Sequence, residues 1–134
     1  METTLLIIKP DATERNLIGE IIRRIENARF EIFQMTMVRM SVNEARKFYA
    51  VHEGKPFFSD LVEYMSSGSA VPMVLKKKNA IADLRELVGA TDPAKAACGT
   101  IRYDFGLDIQ CNSVHASDAV ETAATETAFF FPGI

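Results

Sequence analysis

Residues 4–25 read TLLIIKPDATERNLIGEIIRRI, and a change of rhythm inside this stretch decides the architecture. Thr4–Ile8 is a continuous apolar run, which suits a short buried strand. Lys9-Pro10 ends it, because proline has no N–H to give to a ladder. Ile18, Ile21, Ile22 and Ile25 then recur at i, i+3, i+4 and i+7, the stripe of an amphipathic helix. A strand that hands over directly to a helix implies a mixed α/β chain.

Further along, the period switches to two. Phe33, Met35 and Met37 alternate with Gln34 and Thr36, which predicts a half-buried strand. Ser41-Val42-Asn43-Glu44 has the spacing of a capping box and places a helix start near residue 42. Phe58, Leu61, Val62 and Met65 repeat the helical stripe, with Gly68 as the expected C-cap. Ala70–Leu75 reads as a central strand, although Pro72 within it predicts an edge position or a bulge. Ile81, Leu84 and Val88 predict another helix, closed by Gly89. Residues 91–111 read as irregular and Ser113–His115 as a fourth strand. Asp118-Ala119-Val120-Glu121 reads as the start of a helix running to about Phe129. The order is β-α-β-α-α-β-α-loop-β-α. Such strands can still be neighbours in an antiparallel sheet with helices on one face, and a split βαβ, ferredoxin-like α+β core accommodates them.

The chain of 134 residues suits one domain spanning 1–134, with no repeat or linker. Its composition, 48% apolar and 25% charged, is that of a globular protein able to bury a core without staples. A net charge of −3 argues against broad binding to nucleic acid or to a membrane surface. Cys98 and Cys111 form neither a disulfide framework nor a CxxC pair, so free thiols in a reducing compartment are expected. The run Leu5–Ile8 is too short for a signal peptide or a span. A cytoplasmic protein is the resulting expectation.

The chemistry-bearing candidates centre on residues 112–118, NSVHASD. His115 is one of two histidines, and no HxH or HExxH spacing pairs it for a metal. An imidazole here can serve as nucleophile or base, or can be a polar residue satisfied by a turn. Ser117 and Asp118 suit an N-cap, which would open a helix N-terminus towards anions near His115. Glu126, in the same helix, either reaches back to one imidazole nitrogen or remains a solvated charge. Lys9, Arg85 and Arg102 suit phosphate oxygens, or salt bridges elsewhere. Lys76-Lys77-Lys78 reads as a solvated strand exit. Phe57 lies outside the helical stripe, so it either stacks on a base or packs on its own loop.

Taken together, Asn112-Ser113-Val114-His115-Ala116-Ser117-Asp118 resembles the active-site signature of nucleoside diphosphate kinases, N-x-x-H-(G/A)-S-D. Other blocks follow in that family's order: Ile8-Lys9-Pro10-Asp11, Lys55-Pro56-Phe57-Phe58, Gly89-Ala90-Thr91-Asp92-Pro93-Ala94 and Gly99-Thr100-Ile101-Arg102. The resemblance implies a ferredoxin-like α/β sandwich. It also implies a ping-pong reaction in which the γ-phosphoryl group of ATP passes to a histidine and then to a second nucleoside diphosphate. On this resemblance His115 is the nucleophile, Glu126 orients it, and Ser117 and Tyr49 support that pair. Lys9, Arg85, Thr91, Arg102 and Asn112 match nucleotide and phosphate contacts, and Phe57 the base platform. Mg²⁺ would ride on the nucleotide, with Asp118 the nearest carboxylate, reached through water. The resemblance further implies a homo-oligomer, a tetramer or a hexamer. Ala12, Cys98 and Tyr103 stand where relatives often carry glycine, proline and a small residue.

Overall fold

The computed structural model describes residues 1–133. Its strands are β1 (Glu2–Ile8), β2 (Glu31–Met35), β3 (Val38–Arg39), β4 (Ser69–Lys77) and β5 (Val114–Ala116). Its helices are α1 (Pro10–Glu14), α2 (Ile18–Asn27), α3 (Val42–Phe48), α4 (Phe58–Met65), α5 (Ala80–Val88), α6 (Ile101–Phe105) and α7 (Val120–Phe130). The sheet runs β2-β4-β1-β5, with the two-residue β3 added beside β4. Every pairing is antiparallel, as a ferredoxin-like α+β core requires.

The unbroken apolar run of β1 follows from its central place. Leu6 and Ile8 face a core built with Ile21 and Ile25 of α2 and Leu84 and Val88 of α5. Leu5 and Ile7 face a second core with Ala45 of α3, Val62 and Met65 of α4, and Tyr49. Helices therefore cover both faces of the sheet, which corrects the expectation of a single covered face. A strand buried on both sides shows no alternation, only continuity.

Pro72 is also corrected. It lies within β4, opposite Ile7, and β4 is an inner strand paired with β1 and β2. Its carbonyl accepts from Thr36 N–H at 3.2 Å. Its missing donor therefore points at the break between β2 and β3, where no regular ladder needs it. The irregularity itself is in β2, between Ile32 and Gln34.

Local signals elsewhere behave as their chemistry dictates. Ser41 Oγ accepts from Glu44 N–H at 3.1 Å and Glu44 returns the bond to Ser41 N–H at 2.9 Å, so the capping box of α3 is complete. Gly89 closes α5 with φ at +92°, the left-handed region glycine tolerates. Three expectations shift. The cap of α4 is Ser66 rather than Gly68. Residues 91–111 contain α6 and a 3-10 turn at Pro93–Lys95. The N-cap of α7 is Ala119, whose N–H is taken by Thr122 Oγ1 at 3.0 Å, so neither Ser117 nor Asp118 caps that helix. Finally, Phe33, Met35 and Met37 are not a buried face: Phe33 and Met35 of the outer strand β2 are 42% and 49% exposed, and Met37, in the break before β3, is 59% exposed. No helix among the described residues is long and apolar enough to cross a membrane.

Candidate active site

The short edge strand β5 positions His115. Val114 and Ala116 point into the core under α2 and α5. His115, between them, must point to the opposite face, where it sits across the ladder from Ile7. That face is covered by α3 and α7. The His115 imidazole meets the edges of Phe48 and Tyr49, with centroids 5.6 and 6.2 Å away and T-shaped geometry. From α7, Glu126 Oε1 reaches Nε2 of His115 at 2.9 Å. The same oxygen accepts from Ser117 Oγ at 2.7 Å. A carboxylate only accepts, so Nε2 carries a proton and Nδ1 keeps its lone pair. The imidazole is thus oriented at one nitrogen and open at the other, with its side chain still 23% exposed.

Tyr49 is buried, and its hydroxyl has no hydrogen-bond partner. Burial first, and the Glu126 charge second, push its phenol above the usual tyrosine range, so it stays a neutral donor. The ring edge of Tyr49 borders the imidazole, and its buried hydroxyl stays unpaired inside the fold.

The cations converge from three elements. Lys9 leaves β1 almost buried, its backbone N–H bonded to Ser113 O at 2.9 Å. Its ammonium donates to Asn112 Oδ1 at 2.9 Å and to Gln110 O at 3.0 Å. Asn112 in turn donates from Nδ2 to Thr91 O at 3.0 Å, so Lys9, Asn112 and Thr91 form one chain. Arg102 of α6 is buried and donates to Gly89 O at 3.1 Å and Val114 O at 2.8 Å, while its Nε is left without a partner. Arg85 of α5 is exposed and close enough for its charge to act on Arg102.

Burial and mutual repulsion disfavour the charged forms of these cations. Burial, then the Arg102 charge, brings the Lys9 pKa down to about 8. Burial, then Arg85, brings Arg102 down to about 10. Desolvated like charges held together by fixed carbonyls concentrate positive potential at this end of the sheet.

At the rim, Phe57 precedes α4 and is 48% exposed, with His52 and Lys55 of its own loop against the ring. Asp118 is exposed and accepts from Thr122 Oγ1 at 2.7 Å. That bond first, with help from Arg85 and His115, holds its carboxyl below the usual range. Tyr103 points outward, 51% exposed, and leaves the anchoring of Arg102 intact.

Sequence reasoning missed several neighbours. His52, the other histidine, is brought in by a 3-10 turn at Ala50–His52, which stacks its ring on Tyr49 and sets it 5.3 Å from Phe57. Its one pointer was a position three residues after Tyr49. Phe48 gave no signal beyond its hydrophobicity. A cavity of about 580 Å³ lined in part by Phe30, Lys77, Glu86 and Cys98 holds none of the groups described above.

A family model described as nucleoside diphosphate kinase matches residues 2–134. Nucleoside diphosphate kinases of Salinibacter ruber and Desulfatibacillum aliphaticivorans are each 56% identical to this chain over 131 residues. Those alignments cover 98% of this chain, with 92% of the first relative and 95% of the second. The crystal structure of the Aquifex aeolicus nucleoside diphosphate kinase superposes with a TM-score of 0.96 at 44% identity, covering 98% of this chain and 96% of that one. That of Encephalitozoon cuniculi gives 0.95 at 38% identity, covering 98% and 90%.

Proposed function

The chain belongs to the nucleoside diphosphate kinase family, and from that premise we propose that His115 is the group that carries the phosphoryl in its reaction. The enzyme moves a γ-phosphoryl group from a nucleoside triphosphate to a nucleoside diphosphate by a ping-pong route through a phosphohistidine. The observation that carries the assignment is the Nε2 contact with Glu126, which leaves Nδ1 as the free nucleophile.

In the first half-reaction the Nδ1 lone pair forms a bond to the γ-phosphorus. The bond from that phosphorus to the β,γ-bridging oxygen breaks, and the nucleoside diphosphate leaves with the electron pair. The imidazole gains positive character, which the Glu126 carboxylate balances while Ser117 holds that carboxylate still. The second half reverses these events with a new diphosphate. Lys9, Arg85 and Arg102 neutralise the phosphate chain. Thr91 and Asn112 fix its path, and Tyr49 donates towards the transferring group. Phe57 stacks on the base without reading an edge, so base selectivity is low.

A kinase of this family acts on a nucleotide carrying a divalent metal, which we take to be Mg²⁺. Among the described residues no three metal-ligating side chains come together. The ion would therefore be held by the nucleotide's phosphates and by water, with Asp118 reaching it through that water. It would neutralise phosphate charge.

We take the chain as a single domain acting in the cytoplasm, a reading supported by two unpaired thiols, Cys98 and Cys111. The acidic balance speaks against a nucleic-acid partner and a membrane surface. The exposed apolar edge of β2 supports a homo-oligomer, a tetramer or a hexamer, testable by light scattering.

The deciding experiment mixes the protein with ATP and Mg²⁺ and measures intact mass. One added phosphoryl group, acid-labile and removed by GDP, is expected. No adduct, or an adduct that survives His115→Gln, overturns the assignment.

A further inference from the structure

Three elements converge on a carboxylate that no step above uses. Asp11, in the first turn of α1, is only 6% exposed, yet both of its oxygens are engaged. Oδ1 accepts a short hydrogen bond from the Tyr64 hydroxyl of α4. Oδ2 accepts from Ser113 N–H at 3.2 Å and from Arg15 Nη2 at 3.1 Å. The Tyr64 oxygen accepts from Asp11's own N–H at 2.9 Å, which closes a ring and fixes the carboxyl's direction. Arg15 also donates to Phe105 O at 2.6 Å, so the end of α6 is tied to the same point.

Ser113 is the residue that needs holding. Its φ is +77°, in the left-handed region a serine rarely adopts, and its buried Oγ has no partner. Its N–H goes to Asp11 and its carbonyl to Lys9 N–H. It stands between Asn112, which holds Lys9, and the strand that carries His115.

We propose that Asp11 is a positioning residue for phosphoryl transfer: it clamps Ser113 so that Asn112 and His115 are presented together, with its negative charge held on the Lys9 side of the site. This inference rests on the reading of Lys9 as a phosphate contact. Several groups face that ammonium. Arg102 of α6 opposes its charge, while Asp11 of α1, with Cys111 and Asp108 of the loop before β5, supports it. Tyr64 of α4 lies under it, with its ring centroid 5.8 Å from Nζ. That phenol is pushed upward by burial and by Asp11, so it stays neutral. Cys111 is likewise pushed up, first by burial, and its thiol adds little charge near neutrality. Asp11, ion-paired with Arg15 at 3.1 Å, is thus the buried carboxylate whose charge acts on Lys9 through space.

The test measures kcat and KM between pH 6 and 9.5 for wild type, Asp11→Asn and Tyr64→Phe, with a melting curve for each. Wild type should lose kcat/KM above about pH 8, as Lys9 loses its proton. Asp11→Asn keeps the shape but not the charge, so its alkaline limb should begin about one pH unit lower. Near pH 8 this should cost roughly fivefold, mainly in KM. Tyr64→Phe should leave the limb in place. An Asp11→Asn enzyme that melts earlier but keeps KM and the limb would reduce Asp11 to a structural part and overturn the proposal. If that variant does not fold, Asp11→Glu decides. The charge is kept while the Ser113 contact moves, so a normal limb with lowered kcat is expected, and an unchanged kcat or a displaced limb overturns the idea. A wild type that forms no phosphohistidine would instead remove the reading on which this one rests.

Discussion

Glu126 and His115 meet across a single hydrogen bond, Oε1 to Nε2 at 2.9 Å, although one residue comes from α7 and the other from β5. That bond selects which nitrogen is free, and Ser117 buttresses it from the same side of the carboxylate. Glu126→Gln keeps the acceptor but not the charge that balances the phosphorylated ring. We expect kcat to fall on the order of 100-fold, with nucleotide affinity nearly unchanged. Rapid-quench measurement of phosphoenzyme formation checks this, and a loss of affinity without loss of rate would contradict the assigned role.

Phe57 gives a separate prediction. A half-exposed ring at the rim that touches no base edge stabilises all bases alike. Phe57→Ala should raise Kd roughly tenfold for adenine, guanine, cytosine and uracil diphosphates, the size of one lost stacking contact. Calorimetric titration of the four is the check, and a loss confined to purines would speak against simple stacking.

Lys9 links function to folding. Its pKa falls from 10.5 in the open chain to about 8 in the fold. Between those values the unfolded chain holds a proton that the native chain has released, so stability rises with pH through that window. The gain is complete above the unfolded value and lost as pH falls through about 8. Wild type should therefore gain, relative to Lys9→Met, on the order of 2 kcal/mol of unfolding free energy between pH 8 and 10. Urea melts of both proteins across that range measure the difference, and parallel curves would refute the buried-charge account.

Gly89 joins two parts of the site. Its φ is +92°, and a Cβ there would lie 2.5 Å from Thr100 Oγ1, the N-cap of α6. Its carbonyl also anchors Arg102. Gly89→Ala should destabilise the protein by about 2 kcal/mol and raise KM as Arg102 shifts. Denaturant melts and steady-state kinetics test the two effects on the same sample.

Where the pattern was local and long, the sequence was legible. β1, α2, α5 and the capping box of α3 follow directly from spacing and cap chemistry. α6 spans five residues, less than two turns, and shows no period to read. Phe33 and Met35 mark an outer strand and Met37 the break after it, because alternation in sequence reveals two faces and not what covers them. The assignment of Lys9, Arg102 and Asn112 to one site came through resemblance. Their assembly depends on tertiary pairings more than 10 residues apart, such as Lys9 with Asn112 and Arg102 with Val114. Asp11 and His52 stayed hidden for the same reason: each acts through a contact made by the fold, beyond its own neighbours in the chain.

The incomplete pairing of Lys9 and Arg102 reaches beyond catalysis into handling. Any small dianion that enters between them relieves the same electrostatic deficit that a nucleotide relieves, so phosphate or sulfate in a storage buffer should act as a weak competitive inhibitor and as a thermal stabiliser at once. Heat tolerance recorded in phosphate would then exceed that recorded in a zwitterionic amine buffer, and apparent affinities for nucleotides would be lower, with no change in the protein itself.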